Sequence, residues 1–328
     1  MADRAAKIAL LFVCSLIAPI VLLPGALAQE KYPSRAIRIV VPTSPRASND
    51  IIARLIAQGL TERLGMQVIV DNRTGAGTIV GSEIVAKAPS DGYTLLMSVS
   101  TLAINPVTYT KMPYEVLRDF APITQAVALT NLMVLHPSIP AKSVKEFIAL
   151  AKTRPGQILY ASAGYGTNPH LTIELFANMA QIRMIHVPYK GDGPGIVDLL
   201  GGHVALAAAS PAIAVPHVRA GRLRALGVTS ANRVAVAPDF PTIAESGLPG
   251  FEAVQWNGLL APAGTPREII ARLHRESVAI LRAPESHERL MDAYAEVVGS
   301  SPEEFAAFIK AETVKWAKVA KIAGIKPE

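Results

Sequence analysis

Three short stretches hold residue types suited to gripping a small anion: residues 43–49 (TSPRASN), 72–78 (NRTGAGT) and 162–168 (SAGYGTN). Gly, Ser, Thr and Asn dominate them, and each follows an apolar run and leads straight into a helical pattern. A strand-to-helix turn presents backbone N–H groups and the positive end of a helix dipole, and both favour a negative group. In parallel α/β sheets, ligands sit at this same place, beyond the C-terminal ends of the strands. A dipole contact contributes about 0.3–1 kcal/mol and a hydrogen bond to a charged group about 1.5–3 kcal/mol. A few of them, less the entropic cost of binding, reach the roughly −8 kcal/mol of micromolar affinity. Taken singly, each turn reads first as a tight turn with a helix cap. Three of them on two lobes point to a shared cleft.

Bond-breaking chemistry has no comparable signature. The chain has no G-x-S-x-G nucleophile elbow, no H-E-x-x-H and no G-x-x-x-x-G-K-[ST] phosphate loop. Its histidines, at 136, 170, 186, 203, 217, 274 and 287, show no ligand spacing with carboxylates. Asp192 and Asp198 lack the partner spacing of an acid/base pair. The run from Gly75 to Gly81 resembles a dinucleotide fingerprint but is one residue too long for it. The expectation is therefore no catalytic residue, no metal and no cofactor.

The elements that position these turns alternate. Short β-rich runs at 37–41, 67–70, 94–98, 131–135, 158–161, 184–187, 204–208 and 223–228 are separated by helical spacing such as Ile52, Leu55, Ile56 and Leu60. Such alternation predicts parallel sheets covered by helices. Capping boxes open helices at Ser143–Glu146, at Thr265–Glu268 and at Ser301–Glu304, the last two with proline in the first helical position. They predict long terminal helices over 266–282 and 302–320.

The chain has 328 residues, which suggests about two domains. A net charge of +6 is interspersed rather than blocked, and aromatics make up only 5%, so nucleic acid is not an expected partner. Arg4 and Lys7, the apolar run 8–23 and the Ala26-Leu27-Ala28 site read as a signal peptide over 1–28, cleaved before Gln29. An uncleaved anchor is the alternative, but the apolar core is short for a span. The single cysteine, Cys14, falls inside this segment and lacks the small residues that precede a lipid-modified cysteine. The exported chain therefore has no thiol and no disulfide.

Longer stretches carry a resemblance: 187–191 (VPYKG) running on to 198–204 (DLLGGHV), then 71–77 (DNRTGAG), 88–96 (APSDGYTLL), 219–226 (RAGRLRAL) and 261–266 (APAGTP). On these the chain resembles the substrate-binding proteins of the tripartite tricarboxylate transporter family. The resemblance implies a two-lobed periplasmic binding protein fold, type II-like, each lobe a sheet flanked by helices with the ligand cleft between. Together with a break near 128–131 and a loop at 246–251, it implies lobes of 29–129 plus 252–328 and of 130–251. It further implies a monomer in the periplasm that receives a small organic carboxylate and delivers it to membrane permease subunits. A ligand-sensing partner of a signalling receptor and an exported α/β hydrolase are the rival readings.

Members of that family grip a carboxylate between the first and third turns, partly through backbone N–H groups and bridging waters. Carried over by position, this implies Thr43, Ser44, Arg46, Ala47 and Ser48 in the first turn, with Thr78 and Thr101 beside it. From the second lobe it implies Gly166, Thr167, Asn168, Ala209 and Ser210. The departures are specific. Arg46-Ala47 stands where two glycines usually precede x-x-Asp, and Thr78-Ile79 replaces a glycine and a polar residue. Ala205 and Ala209 stand where acids are frequent, which implies a ligand without a positive charge. Arg46 reads either as a bidentate carboxylate ligand or as a solvent-facing turn residue, and Lys190 as an anchor or a surface lysine. His170 and Trp256 read as packing residues, and Arg54 as a solvated charge.

Overall fold

The computed structural model describes residues 32–235 and 237–327. The signal segment 1–28 and Cys14 lie outside the described residues. The first part of the chain forms β1 (Ile37–Val41), α1 (Ser48–Leu64), β2 (Val68–Asn72), α2 (Ile79–Ala86), β3 (Thr94–Val99), α3 (Thr101–Thr108), α4 (Val116–Asp119) and β4 (Phe120–Thr130). Next come β5 (Leu132–Leu135), α5 (Val144–Thr153), β6 (Leu159–Ser162), α6 (Asn168–Ala180), β7 (Ile185–Pro188), α7 (Asp192–Leu200), β8 (Leu206–Ala209), α8 (Pro211–Arg219) and β9 (Arg224–Val228). The last third adds β10 (Val254–Pro262), α9 (Arg267–Leu281), α10 (Pro284–Asp292), β11 (Ala295–Val297) and α11 (Pro302–Ile322). All of them belong to one contiguous unit, Arg35–Glu328.

The strands build two sheets, ordered β11-β4-β10-β3-β1-β2 and β7-β6-β8-β5-β9. The expectation of wholly parallel sheets is corrected. β1 runs parallel to β2 and β3, and β6 parallel to β7 and β8, but β10 is antiparallel to β3 and β4, and β5 is antiparallel to β8 and β9. β5 and β10 are the first strands after each passage between the sheets and so arrive from the opposite end; β11, after α10, also pairs antiparallel with β4. The parallel halves keep their strand–turn–helix connections, and all three candidate turns lie on those connections.

Only Asn131 separates β4 of the first sheet from β5 of the second. The chain returns between β9 and β10, where Ala253 N–H donates to Thr229 O at 2.8 Å. These crossings are polar and buried: Thr130, Asn131, Asn168 and Thr229 are all at most 4% exposed. Buried polar groups hold only when paired, and here they are. Thr229 Oγ1 accepts from Asn131 N–H at 2.9 Å, Thr229 N–H donates to Thr130 Oγ1 at 3.0 Å, and Gln255 Nε2 donates to Asn131 Oδ1 at 3.1 Å.

The apolar core runs under both sheets. Trp256 packs edge-on against Phe305 and Phe308, so α11 is clamped onto β10. Gly258 permits that approach, since a Cβ there would stand 2.2 Å from the Phe305 ring. Of the expected capping boxes, the one at Ser301 and Glu304 forms in full. Ser143 Oγ accepts from Glu146 N–H, but the Glu146 carboxylate reaches Lys142 N–H instead of the cap. Thr265 caps nothing, because its hydroxyl donates to Pro262 O and α9 starts after Pro266.

Candidate functional site

The turn between β1 and α1 is folded around Asp50. This carboxylate is 2% exposed and accepts hydrogen bonds from Arg46 N–H at 2.8 Å, Arg54 Nε at 3.0 Å and Asn72 Nδ2 at 2.9 Å. Burial acts to raise its pKa, but the bonds from Arg54, Arg46 and Asn72 together hold it below the usual carboxylate value. Arg54 therefore belongs to the turn's frame and is not a free solvated charge. Thr43 Oγ1 donates to Asn49 Oδ1 at 2.5 Å, which closes the turn from its other side.

Arg46 occupies this turn at φ +70°, a left-handed conformation that costs a non-glycine residue about 1–2 kcal/mol. The residue stands where the resemblance leads one to expect glycine. Asp50 holds its backbone in place, and its exposed guanidinium makes no ion pair among the described residues.

A cavity of about 420 Å³ opens between the two sheets. On one side are Arg46, Ala47, Ser48 and Ile51; on the other are Asp192, Ser210 and the start of α8; Thr130, Asn131 and Gln255 line it where the chain crosses. Asp292, Ala293 and Tyr294 complete the rim. The helices that begin here, α1, α7 and α8, carry no side-chain cap. By contrast α5 and α11 are capped by Ser143 and Ser301. Helix starts without caps leave backbone donors for another acceptor.

A second, smaller cavity of about 70 Å³ lies between α3 and the turn ahead of α6, lined by Gly77, Thr101, Asn105, Thr108, Tyr165, Gly166 and Thr167, with Tyr109 beside them. Here Thr78 and Thr101 share a hydrogen bond of 2.8 Å, and Asn105 Nδ2 donates to Gly77 O at 2.9 Å. Gly166, at φ +69°, sits so close to Thr108 that a Cβ would stand 2.8 Å from its methyl. Tyr165 Oη accepts from Lys326 N–H at 2.9 Å, tying this turn to the end of the chain.

The expected site residues thus divide. Arg46, Ala47, Ser48 and Ser210 line the larger cavity, and Thr101, Gly166 and Thr167 the smaller. Thr43, Ser44, Thr78, Asn168 and Ala209 line neither. Asn168 is instead a strut, accepting from Asn131 Nδ2 at 3.1 Å and donating to Val254 O at 3.2 Å. Ala209 is buried inside β8 at 1% exposure, so its identity says nothing direct about ligand charge. An acid does reach the cavity, but from Asp192. Sequence reasoning passed over Asn131, Gln255 and Tyr294, and weighed Asp192 only as an acid/base candidate; the one available signal for a binding role was that Asp192 opens a helix directly after Gly191.

Beneath the third turn lies an aromatic stack, buried at Tyr160 and His170 and half-buried at His186. His170 and His186 rings stand 3.8 Å apart and Tyr160 stacks on both. His170 Nδ1 accepts from Gly166 N–H at 3.1 Å, which fixes the turn above it. Burial drives both imidazoles toward the neutral form, to a pKa of about 3 for His170, where His186 adds to the effect, and about 4 for His186. His170 and Trp256 are packing residues, as their sequence context suggested. A larger hollow of about 600 Å³ beside α10 and β11 includes none of the residues from the three turns. Among the described residues no three His, Cys, Asp or Glu side chains gather as metal ligands, and no helix is long and apolar enough to cross a membrane.

A protein from the tcbD–tcbE intergenic region of Pseudomonas sp. strain P51 is 40% identical over 291 residues, 88% of this chain and 87% of its own length. An R. palustris protein solved with adipate superposes with a TM-score of 0.77 at 36% identity, covering 90% of this chain and 100% of the other. The periplasmic binding protein BugD superposes with a TM-score of 0.73 at 33% identity, covering 90% and 100%. Residues 52–325 match the family described as the tripartite tricarboxylate transporter family receptor. Two helix-flanked sheets, a cavity at their crossing and these likenesses converge, and the chain belongs to the tripartite tricarboxylate transporter receptor family.

Proposed function

We propose that the mature protein is a monomeric periplasmic receptor, freed of residues 1–28, that binds a small organic carboxylate without turning it over. Its lobes, 29–129 with 252–328 and 130–251, close on the acid and offer it to membrane permease subunits. One observation carries this reading: the inter-sheet cavity is lined by Arg46, whose guanidinium makes no ion pair among the described residues, and by the start of α1, which carries no side-chain cap. Together they supply charge and backbone donors for a carboxylate. The adipate in the R. palustris relative makes small dicarboxylates the first ligands to try.

A hydrolase reading gains nothing from the contact between Ser162 Oγ and His186 Nε2, 2.6 Å apart. Ser162 is 4% exposed, and its hydroxyl is engaged by Gly164 N–H and Gly164 O, both at 3.1 Å.

Thermal denaturation across a panel of mono-, di- and tricarboxylates tests the proposal. A bound acid in hundredfold excess over its dissociation constant adds about 2.7 kcal/mol of apparent stability, with no product formed. Ester or amide turnover without any stabilisation by acids would refute it.

A further inference from the structure

The larger cavity carries charges of both signs. Arg46 enters from the turn before α1, while Asp192 is the first residue of α7 on the opposite sheet. Among the described residues neither Arg46 nor Asp192 makes an ion pair, with each other or with any other group. Burial pushes the Asp192 carboxyl above the ordinary carboxylate range, with the Ser210 backbone N–H acting against it. The other polar groups at the crossing are committed elsewhere: Gln255 Nε2 donates to Asn131 Oδ1, and Asn131 Nδ2 to Asn168 Oδ1. The second acid, Asp292, lies on the exposed rim. Asp192 accepts from the Ser210 N–H and keeps its remaining acceptor capacity for the ligand space.

Building on the carboxylate-receptor reading, we infer that Asp192 sets specificity, so that the ligand is an acid carrying a hydrogen-bond donor, an ammonium or hydroxyl group, as well as its carboxylate. The carboxylate meets Arg46 and the start of α1; the donor meets Asp192. A plain diacid would instead bring a second negative group to a wall that already holds a carboxylate. A half-buried carboxylate oxygen that faces the ligand without a donor is costly, and that cost is what makes polar sites reject analogues lacking the matching group. On this inference the acid missing at Ala209 is supplied from another element, and an ammonium-bearing ligand runs against the expectation of a ligand without a positive charge.

Calorimetric titration tests this with adipate paired against 2-aminoadipate and 6-aminohexanoate, and succinate against malate and aspartate. The proteins are the wild type, Asp192→Ala, Asp192→Asn and Arg46→Gln, each first shown by thermal denaturation to be folded. Using both Asp192 variants keeps the test open if one fails to fold. The expected result is a donor-bearing acid binding wild type about tenfold or more tighter than its plain partner. In the Asp192 variants that preference falls to about twofold or less for an ammonium donor, while the plain diacid binds as well or better. Arg46→Gln weakens every acid. A plain diacid as the tightest wild-type ligand, or a preference that survives in both Asp192 variants, overturns the inference and leaves the receptor reading intact. Binding of no acid by the wild type overturns the receptor reading, and this inference with it.

Discussion

Arg46 combines a strained backbone with a useful charge. Its left-handed φ of +70° is held by the bond from its N–H to Asp50, so the turn keeps its shape without glycine. Arg46→Gly should relieve about 1–2 kcal/mol of strain, offset by the added freedom of glycine in the unfolded chain, roughly 0.5–1 kcal/mol. The expected outcome is a protein that is equally stable or up to about 1.5 kcal/mol more stable and binds acids about tenfold more weakly, read by denaturant unfolding beside calorimetry. Loss of stability with unchanged affinity would show that Arg46 is a frame residue only. The His170–His186 stack makes a second prediction at this scale. Both folded pKa values, about 3 and about 4, lie below the ordinary value of 6.5. The unfolded chain therefore takes up protons first as pH falls, and stability is lost from pH 6.5 down to about 4 for His186 and about 3 for His170, at up to about 1.4 kcal/mol per pH unit per histidine. Replacing both by Phe should flatten that slope in urea melts at pH 4.5 and 7; an unchanged slope would contradict the burial argument.

At the level of elements, Gly258 lets α11 lie on the central strand β10. A Cβ at that position would meet the fully buried Phe305 ring at 2.2 Å. Gly258→Ala should cost about 1–3 kcal/mol, the range for overpacking a core, measured as a lower urea midpoint; a shift within about 0.5 kcal/mol would mean the helix moves freely. β10 also marks the limit of what sequence patterning conveyed. The runs leading into candidate turns were legible because each is a short apolar segment ending in turn residues, as at β1, read to the residue. The other two such runs, β2 and β6, were placed within two residues. β10 contains Asn257, Gly258 and Pro262, and β4 carries buried Thr124 and Gln125 bonded to the segment around Ser300, so neither alternates as a half-buried strand should. β11 has only three residues. The direction of pairing depends on where the chain crosses between sheets, which no local pattern encodes.

Across the whole molecule, function depends on two sheets meeting around one space. Their closeness is visible in the approach of Gly166 to Thr108 and in two bonds between distant segments, Lys326 N–H to Tyr165 Oη and Ala235 N–H to Glu296 Oε1, each 2.9 Å. The turn chemistry was readable because Gly, Ser, Thr and Asn have few other reasons to cluster after a strand. Which turns would share a cavity was not, since that depends on the crossing at Asn131 and on how near α3 comes to the third turn. Asp192 was set aside as an acid/base candidate for the same reason: no local pattern shows that the fold sets Arg46 across the cavity from it. The central claim is that a carboxylate is held between the sheets against the start of α1. Its most direct test is a crystal structure of the wild type grown with the tightest acid from the calorimetric panel. The account predicts carboxylate density within hydrogen-bond distance of Arg46 or Ser48, with both sheets touching the ligand. Density for the acid elsewhere on the surface, with the space between Arg46 and Ser210 holding only solvent, would contradict it.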